Sequence, residues 1–262
     1  MSESAFEGTA CKKRLEAGEV LIGTFVQTPH PVVCEFIGGN FGLDFVCLEG
    51  EHSAIGPETV LSMVMAAAAS HTPVLVRIAN NDWTLIAQAL DAGAQGVIAP
   101  RVNSADEARA LVQAALYPPE GDRGIGPGRV TRYGPNSGPD YRRWANENVL
   151  VAAQVETRRA LDDLDAILTV DGLDLVFVGP MDLASSLGFL PNSPEADKVI
   201  ENVLARAHSA GLKTGIFAAT AEQATRWRGL GVQLIIVASD LMFMGNGLAA
   251  ALASLAQPTA SH

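Results

Sequence analysis

The feature that most constrains the fold is an alternation, repeated eight times along 262 residues, between a short apolar run and a longer segment with helical periodicity. Continuous apolar runs are typical of parallel strands that are buried on both faces. The predicted strands cover residues 20–26, 43–48, 73–78, 96–99, 149–155, 173–178, 212–217 and 233–238. Eight βα units predict an α/β fold, a (β/α)8 TIM barrel that forms a single domain over residues 1–262, with short flexible tails at about 1–7 and 257–262.

Local signals mark where several of the intervening helices begin and end. Pro57 fits the first position of a helix through Ala69, and Ser104 is placed to cap a helix over residues 105–116. Gly93 stands where the preceding helix should stop, because glycine readily adopts the left-handed conformation that ends helices. These boundaries agree with the alternation.

One connection, residues 117–148, is longer than the others and rich in proline and glycine. Long loops in compact domains are usually functional or contact a partner. The segment also concentrates positive charge, with Arg123, Arg129, Arg132, Arg142 and Arg143. We therefore expect a functional loop; the alternative is a solvated basic loop.

Charge and composition narrow the class of partner. The chain has 18 Lys and Arg residues against 29 Asp and Glu, a net charge of −11, which argues against a nucleic-acid or anionic-membrane surface. We therefore expect a small-molecule partner. Three scattered cysteines, no visible secretory signal and no apolar stretch long enough to span a bilayer favour a cytoplasmic protein with no membrane partner.

Ionisable side chains collect at the predicted strand ends, which face the active-site end of a barrel. They are His52, Arg77, Arg101, Glu156 and Asp182. Because the strands that precede Glu156 and Asp182 are neighbours, the two carboxylates should lie close together and repel. An oxygen-ligated divalent cation such as Mg²⁺ or Mn²⁺ would relieve that repulsion. The alternative is that Glu156 pairs with Arg158 or Arg159 on the surface while Asp182 caps a helical turn.

His52 follows the second predicted strand in the run Leu48-Glu49-Gly50-Glu51-His52. A histidine in a loop at the active-site end is a candidate general base, although a lone histidine is often a hydrogen-bonded structural residue. Asp91 lies near the end of a predicted helix, where the helix dipole disfavours an acid, so a partner such as a histidine would rationalise it. A solvated Asp91 before the turn at Gly93 is the alternative.

Lysine placement argues against two kinds of cofactor chemistry. The chain contains only Lys12, Lys13, Lys198 and Lys213, and none stands at the carboxyl end of a predicted strand. No Schiff-base lysine and no pyridoxal phosphate (PLP) are therefore expected. No nucleotide is expected either, because a Walker A motif is lacking and the glycine cluster at 124–128 does not follow a predicted strand.

Several ordered motifs resemble the HpcH/HpaI aldolase family. They are Leu48-Glu49-Gly50-Glu51-His52, Val76-Arg77, Leu90-Asp91-Ala92-Gly93-Ala94, Gln154-Val155-Glu156 and Gly179-Pro180-Met181-Asp182-Leu183. The resemblance runs from about residue 23 to residue 245 and includes Tyr117-Pro118-Pro119 and Arg123-Gly124-Ile125-Gly126 of the long connection. Because several motifs match in order, the chain is identified as a member of this family.

The resemblance implies a class II pyruvate aldolase, as 4-hydroxy-2-oxoheptanedioate aldolase is, that uses a divalent metal ion: Mg²⁺, Mn²⁺ or Co²⁺. A 4-hydroxy-2-oxoacid would be cleaved reversibly to an aldehyde and pyruvate, or a related 2-oxoacid such as hydroxypyruvate. Glu156 and Asp182 match the metal ligands, and Asp182 also borders the substrate. Arg77 matches the arginine that holds the keto oxygen and stabilises the enolate, and Gln154 matches a substrate-site residue near the metal.

His52 and Asp91 match a catalytic dyad that works through water as acid and base. The resemblance also implies a homo-oligomer, a hexamer in which C-terminal helices are exchanged between paired subunits, and the apolar segment 241–255 would suit that role. One position departs from the family, whose members often have Asp where this chain has Glu49. We therefore expect a difference in the water or aldehyde pocket.

Two rival functions stay open at this point. A citryl- or malyl-CoA lyase, or an oxaloacetate-decarboxylating enzyme, would share the barrel and the acidic pair. A non-catalytic barrel that senses a 2-oxoacid would have no need of an acid–base dyad. We therefore consider a sensor less compatible with the sequence, which contains the set His52, Arg77, Glu156 and Asp182.

Overall fold

The computed structural model describes residues 10–256, so the tails predicted at 1–7 and 257–262 lie outside the described residues. Eight strands close into a barrel in chain order, and every neighbouring pair is parallel, including the last strand with the first. The strands are β1 (Leu21–Val26), β2 (Phe45–Glu49), β3 (Val74–Arg77), β4 (Gly96–Ala99), β5 (Leu150–Val155), β6 (Leu175–Val178), β7 (Lys213–Ala218) and β8 (Leu234–Ser239). The predicted single-domain (β/α)8 barrel is confirmed.

Helices follow every strand and surround the barrel. They are α1 (Cys11–Glu16), α2 (Pro31–Asn40), α3 (Pro57–Ala69), α4 (Trp83–Ala92), α5 (Ala105–Ala115), α6 (Pro139–Asn148), α7 (Arg158–Asp162), α8 (Leu164–Ile167), α9 (Pro180–Leu187), α10 (Pro194–Ser209), α11 (Ala221–Gly229) and α12 (Asp240–Ala256). None of the helices in the described part of the chain combines the length and hydropathy that crossing a bilayer requires.

The predicted helix boundaries are confirmed where local chemistry sets them. Pro57 begins α3, and the Ser104 hydroxyl accepts a hydrogen bond from the Glu107 amide at 3.2 Å to cap α5. Gly93 ends α4 in the left-handed conformation, with φ of 110°.

The prediction of a continuous loop over residues 117–148 is wrong in its last third. That stretch contains α6, whose first turn begins at Pro139, and a short 3-10 turn at Arg129–Thr131 precedes it. Tyr141 and Ala145, four residues apart, are both buried on one face of α6. Burial of this narrow face stabilises α6, whose other residues are mostly polar.

The two-residue alternation of side chains along the strands determines which polar residues face the interior of the barrel. On β2, Phe45 and Cys47 belong to the core inside the barrel, whereas Val46 and Leu48 pack outward against the helices. Continuing that alternation brings Glu49 to the inner face at the carboxyl end of the strand. The same argument applies to Arg77 after Leu75 and to Gln154 after Leu150 and Ala152.

Candidate active site

A polar layer lies at the carboxyl end of the barrel, above the apolar interior. A cavity of about 240 Å³ opens there, lined among others by Glu49, His52, Arg77 and Asp182. Its walls also include Phe177, Phe217 and Met242. The pocket is therefore apolar on its sides, with ionisable groups on the floor and at the rim, as ligand sites of this fold are.

Glu49 and Arg77 form a buried ion pair at the floor of the pocket. The two residues are register partners on β2 and β3, and their side chains are 1% and 9% exposed. Arg77 Nε donates to Glu49 Oε1 at 3.1 Å, and Arg77 Nη2 donates to Glu49 Oε2. Burial lowers the pKa of Arg77, but the hydrogen bond and charge of Glu49 outweigh it and the pKa is raised. Arg77 is therefore a fixed cation.

Glu49 also holds the turn that carries His52. Its Oε1 accepts hydrogen bonds from the backbone amides of Glu51 at 2.7 Å and His52 at 3.1 Å. The Glu49 carbonyl accepts a further bond from the Ser53 hydroxyl. One buried carboxylate thus links the position of the Arg77 guanidinium to the position of the His52 backbone.

Gln154 connects this pair to a second carboxylate, Glu156. Arg77 Nη1 donates to Gln154 Oε1 at 3.4 Å, and Gln154 Nε2 donates to Glu156 Oε2. The backbone amide of Arg101, in the left-handed conformation with φ of 55°, donates to Glu156 Oε1 at 2.8 Å. Glu156 is 1% exposed. Its surface pairing with Arg158 or Arg159 is therefore wrong as an interpretation.

Negative charge accumulates around Glu156. Burial raises the pKa of Glu156 to about 7, and the carboxylates of Glu51 and Asp182 add to that rise. Burial likewise raises the pKa of Glu51, with the charges of Glu49 and Asp182 acting in the same sense. Glu51 Oε2 is buried and accepts no hydrogen bond within residues 10–256. The site has more carboxylate charge than its own cations balance.

The residues present fit a divalent cation held by oxygen. In the described chain no three His, Cys, Asp or Glu side chains converge as a ready-made metal cluster. Two carboxylates, Glu156 and Asp182, would leave the remaining positions to water and substrate, which suits Mg²⁺ or Mn²⁺. Gly179 leaves room for the Glu156 carboxylate, because a Cβ at position 179 would stand 2.5 Å from Glu156 Oε2.

Comparison with known proteins places this geometry in a family. The model of the HpcH/HpaI aldolase/citrate lyase family matches residues 21–246. This chain belongs to that family. A curated relative from Salmonella dublin, 4-hydroxy-2-oxo-heptane-1,7-dioate aldolase, is 38% identical over 242 residues, 91% of each chain. The resemblance inferred from the motifs is confirmed, and the chain is a lyase.

Solved structures of this HpcH/HpaI family agree with the barrel. An HpcH/HpaI aldolase/citrate lyase family protein from Burkholderia cenocepacia J2315 superposes with a TM-score of 0.89 at 32% identity, covering 95% of this chain and 100% of that one. The citrate synthase SbnG has a TM-score of 0.85 at 29% identity, covering 94% and 97%. The barrel of this family therefore also supports enzymes named for citrate chemistry.

The structure of this HpcH/HpaI family member does not bring His52 and Asp91 together within one chain. Asp91 lies in the last turn of α4, which runs back toward the amino end of the barrel, whereas His52 follows the carboxyl end of β2. Asp91 Oδ1 instead accepts a hydrogen bond from Arg123 Nη2 at 2.6 Å. The carboxylate beside His52 is Glu51, at 3.7 Å from Nε2. The dyad stays a prediction.

Two charged residues near the predicted site residues, Glu51 and Arg123, are buried to an extent that their sequence context does not make obvious. Glu51 continues the alternation of Phe45, Cys47 and Glu49 on β2, so the strand period itself indicated that its carboxylate faces the site. Arg123 was grouped with a basic loop, yet it is 1% exposed and pairs with Asp91. The motif Arg123-Gly124-Ile125-Gly126 sets it apart from the other arginines of the connection, but nothing in the sequence indicates its burial.

We predict that Glu49→Asp lowers kcat and leaves metal affinity unchanged. Aspartate is one methylene shorter, so it cannot keep both the Arg77 pair and the two amide bonds of the His52 turn. Loss of one charge-assisted hydrogen bond corresponds to about 1.5–3 kcal/mol, or about 10- to 100-fold in kcat. Steady-state kinetics and Mn²⁺ titration measure the two effects. Exposed Glu58 on α3 provides the control, Glu58→Asp, and equal kcat in both variants would contradict the role of Glu49.

Proposed function

We propose that the chain is a divalent-metal-dependent aldolase that cleaves 4-hydroxy-2-oxoacids to an aldehyde and pyruvate or a related 2-oxoacid such as hydroxypyruvate. The observation that carries the proposal is the buried carboxylate of Glu156, which is joined to Arg77 through Gln154 at the carboxyl end of the barrel and lies near enough to Asp182 for the charge of Asp182 to raise its pKa. The aldolase named among the relatives supports the same reaction. Small molecules are its partners, because the relatives are named for aldolase activity on a small-molecule substrate.

Glu156 and Asp182 would hold the metal. A bound divalent cation would act as a Lewis acid on the 2-oxo group of the substrate. The two carboxylates have different surroundings, since Glu156 is held by two polar neighbours, the Arg101 amide and Gln154, whereas Asp182 is exposed in the first turn of α9. Glu156 would thus fix the position of the ion, and Asp182 would border the substrate.

Arg77 stabilises the charge that develops on the keto oxygen. A guanidinium has more N–H donors than its bonds to Glu49 and Gln154 use, so donors remain for the substrate. Packing over the Phe25 ring, 4.4 Å from its centroid, holds the guanidinium in place. A preorganised cation at a developing oxyanion is one of the strongest catalytic devices in enzymes.

His52 moves the proton. Its side chain is 55% exposed and lines the same pocket as Arg77 and Asp182, so it is the residue we assign to the substrate hydroxyl two carbons beyond the keto group. Taking the proton of the 4-hydroxyl breaks the C3–C4 bond: the hydroxyl carbon becomes the aldehyde, and the electron pair passes to the enolate. Protonation of the enolate at C3 then yields the 2-oxoacid.

We further propose that the active form is a homo-oligomer, a hexamer by family resemblance. The helix α12 exposes Leu241, Phe243, Met244, Leu248 and Leu252, an apolar surface that a second copy would cover. Since α4 directs Asp91 to the opposite end of its own barrel, Asp91 can pair with His52 only from another copy. Exchange of α12 between subunits would bring copies into such contact.

Mixing two inactive variants tests this arrangement. We predict that His52→Ala and Asp91→Ala each have strongly reduced activity, and that mixed oligomers regain activity, since one copy keeps an intact His52 next to the intact Asp91 of another. Size-exclusion chromatography with light scattering records the assembly, and a pyruvate assay records cleavage. A monomeric active enzyme, or mixtures no more active than their parents, would rule the pairing out.

A substrate panel tests the proposed reaction. Simple 4-hydroxy-2-oxoacids are assayed beside citryl- and malyl-CoA thioesters and oxaloacetate, with release of the aldehyde or of pyruvate as the readout. We expect turnover of the 4-hydroxy-2-oxoacids above the others. Preferential turnover of a thioester would reject the aldolase in favour of a CoA-lyase activity.

A further inference from the structure

A second and larger cavity lies at the other end of the barrel. Its volume is about 400 Å³, and it includes Pro73, Gln95 and Val149, which directly precede β3, β4 and β5. These positions mark the amino end of the strands, whereas Glu156 and Asp182 follow the carboxyl end. Within one chain the cavity is therefore separate from the candidate active site.

The lining of this cavity is positively charged. Arg123, Arg129, Arg132 and His71 contribute to it, and no Asp or Glu is among the described residues that line it. The chain as a whole has a net charge of −11, so this concentration of cations runs against the overall composition. Within residues 10–256, Arg129 Nη1 donates one hydrogen bond, to the Ala92 carbonyl at 3.2 Å, and the other N–H groups of its guanidinium can donate to a ligand.

Arg123 provides the second observation. It is 1% exposed and lies over the Tyr117 ring, 4.6 Å from its centroid. Its Nη2 donates to Asp91, but its Nε is buried and has no hydrogen-bond partner in the described part of the chain. A buried charged donor without a partner is costly. An anion in the cavity would provide the missing acceptor.

The opposite wall is apolar. Val64 and Leu90 come from α3 and α4, Val130 from the 3-10 turn, and Tyr141 and Trp144 from α6. The volume falls within the range of about 300–1,000 Å³ that small-molecule sites occupy. Cations on one side and aromatic and aliphatic groups on the other match a ligand with an anionic end and an apolar body.

We propose that this cavity binds a small organic anion, with a carboxylate or phosphate against Arg123, Arg129 and Arg132 and an apolar body against Tyr141 and Trp144. The proposal does not depend on aldol cleavage, although Arg123 also pairs with Asp91, the residue proposed to lie beside His52 of another copy. An inorganic anion would contact the cationic side of the cavity but not its apolar wall.

Calorimetric titration of the full-length enzyme with benzoate, phenyl phosphate and inorganic phosphate tests the proposal. We expect saturable binding of an aromatic anion at least about ten-fold tighter than that of inorganic phosphate, because only the aromatic probe contacts the apolar wall. The variant Arg129→Gln/Arg132→Gln should weaken it by about ten-fold or more. Arg109→Gln, an exposed arginine on α5 paired with Asp106 at 2.7 Å, should have no effect.

The pattern of affinities decides the outcome. Tighter benzoate identifies a carboxylate ligand, and tighter phenyl phosphate identifies a phosphate ligand; either supports the site when the double variant weakens it. Equal affinity in the wild type and the double variant would locate binding elsewhere and overturn the proposal. Inorganic phosphate binding as tightly as the aromatic probes, or no saturable binding at all, would overturn it as well.

Discussion

Replacing Glu156 with alanine is expected to abolish metal binding and aldol cleavage together, whereas His52→Ala abolishes cleavage and leaves metal binding intact. Glu156 is the buried and fixed member of the acidic pair, held by the Arg101 amide and by Gln154. Substitution of a residue that only hydrogen-bonds to a metal ligand typically lowers metal affinity or activity by about 10- to 100-fold. Loss of the ligand Glu156 itself should have a larger effect. His52 contacts no residue of the acidic pair directly; its charged neighbour is Glu51.

Mn²⁺ titration followed by calorimetry, with pyruvate release measured on the same samples, separates the two variants. Glu195→Ala, an exposed acid in the first turn of α10, is the matched control and should keep both properties. Equal loss of metal in the Glu156 and His52 variants would show that the histidine is assigned the wrong role.

Arg77→Ala and Arg77→Lys should impair the enzyme for different reasons, the first by loss of stability and the second by loss of kcat. Arg77→Ala leaves the Glu49 carboxylate buried and unpaired, which is expected to destabilise the fold by about 3–5 kcal/mol. Arg77→Lys retains a charge near Glu49 but loses the planar fork that serves Glu49 and Gln154 together. We expect the lysine variant to fold and to lose about 10²–10³ in kcat, the usual cost of removing an oxyanion donor.

Thermal unfolding and steady-state kinetics measured in parallel distinguish these effects. Arg77→Lys should melt close to the wild type, with the loss in kcat rather than in metal affinity. A lysine variant with full kcat would show that the guanidinium does not stabilise the enolate. An alanine variant as stable as the wild type would show that Glu49 is neutral or solvated.

The barrel was predictable because its signal is local. Most strands are predominantly apolar runs, and the ends of the predicted and observed strands differ by at most two residues. Strand β2 starts at Phe45 rather than Leu43, since the Asp44 carboxylate accepts the Ile22 amide at 2.8 Å and stays outside the strand. Helix α6 was missed because only Tyr141 and Ala145 are buried, too few to produce a clear period.

The site was predictable as a set of residues and less so as a network. Strand ends indicated Arg77, Glu156 and Asp182, and the parallel strands place all three at the carboxyl end of the barrel. The pairing of Glu49 with Arg77 depends on the register between β2 and β3, which no single segment encodes. The ion pair of Asp91 with Arg123 joins residues 32 apart through the long connection, and sequence periodicity contains no information on such contacts.

Metal removal tests the central claim most directly. EDTA treatment of the full-length enzyme, followed by gel filtration, should eliminate cleavage of a 4-hydroxy-2-oxoacid, and Mg²⁺, Mn²⁺ or Co²⁺ should restore it. Borohydride added with pyruvate should leave the restored activity unchanged, since no lysine is among the residues that line the pocket. Full activity after complete metal removal, or a borohydride-trapped pyruvate adduct, would contradict the account.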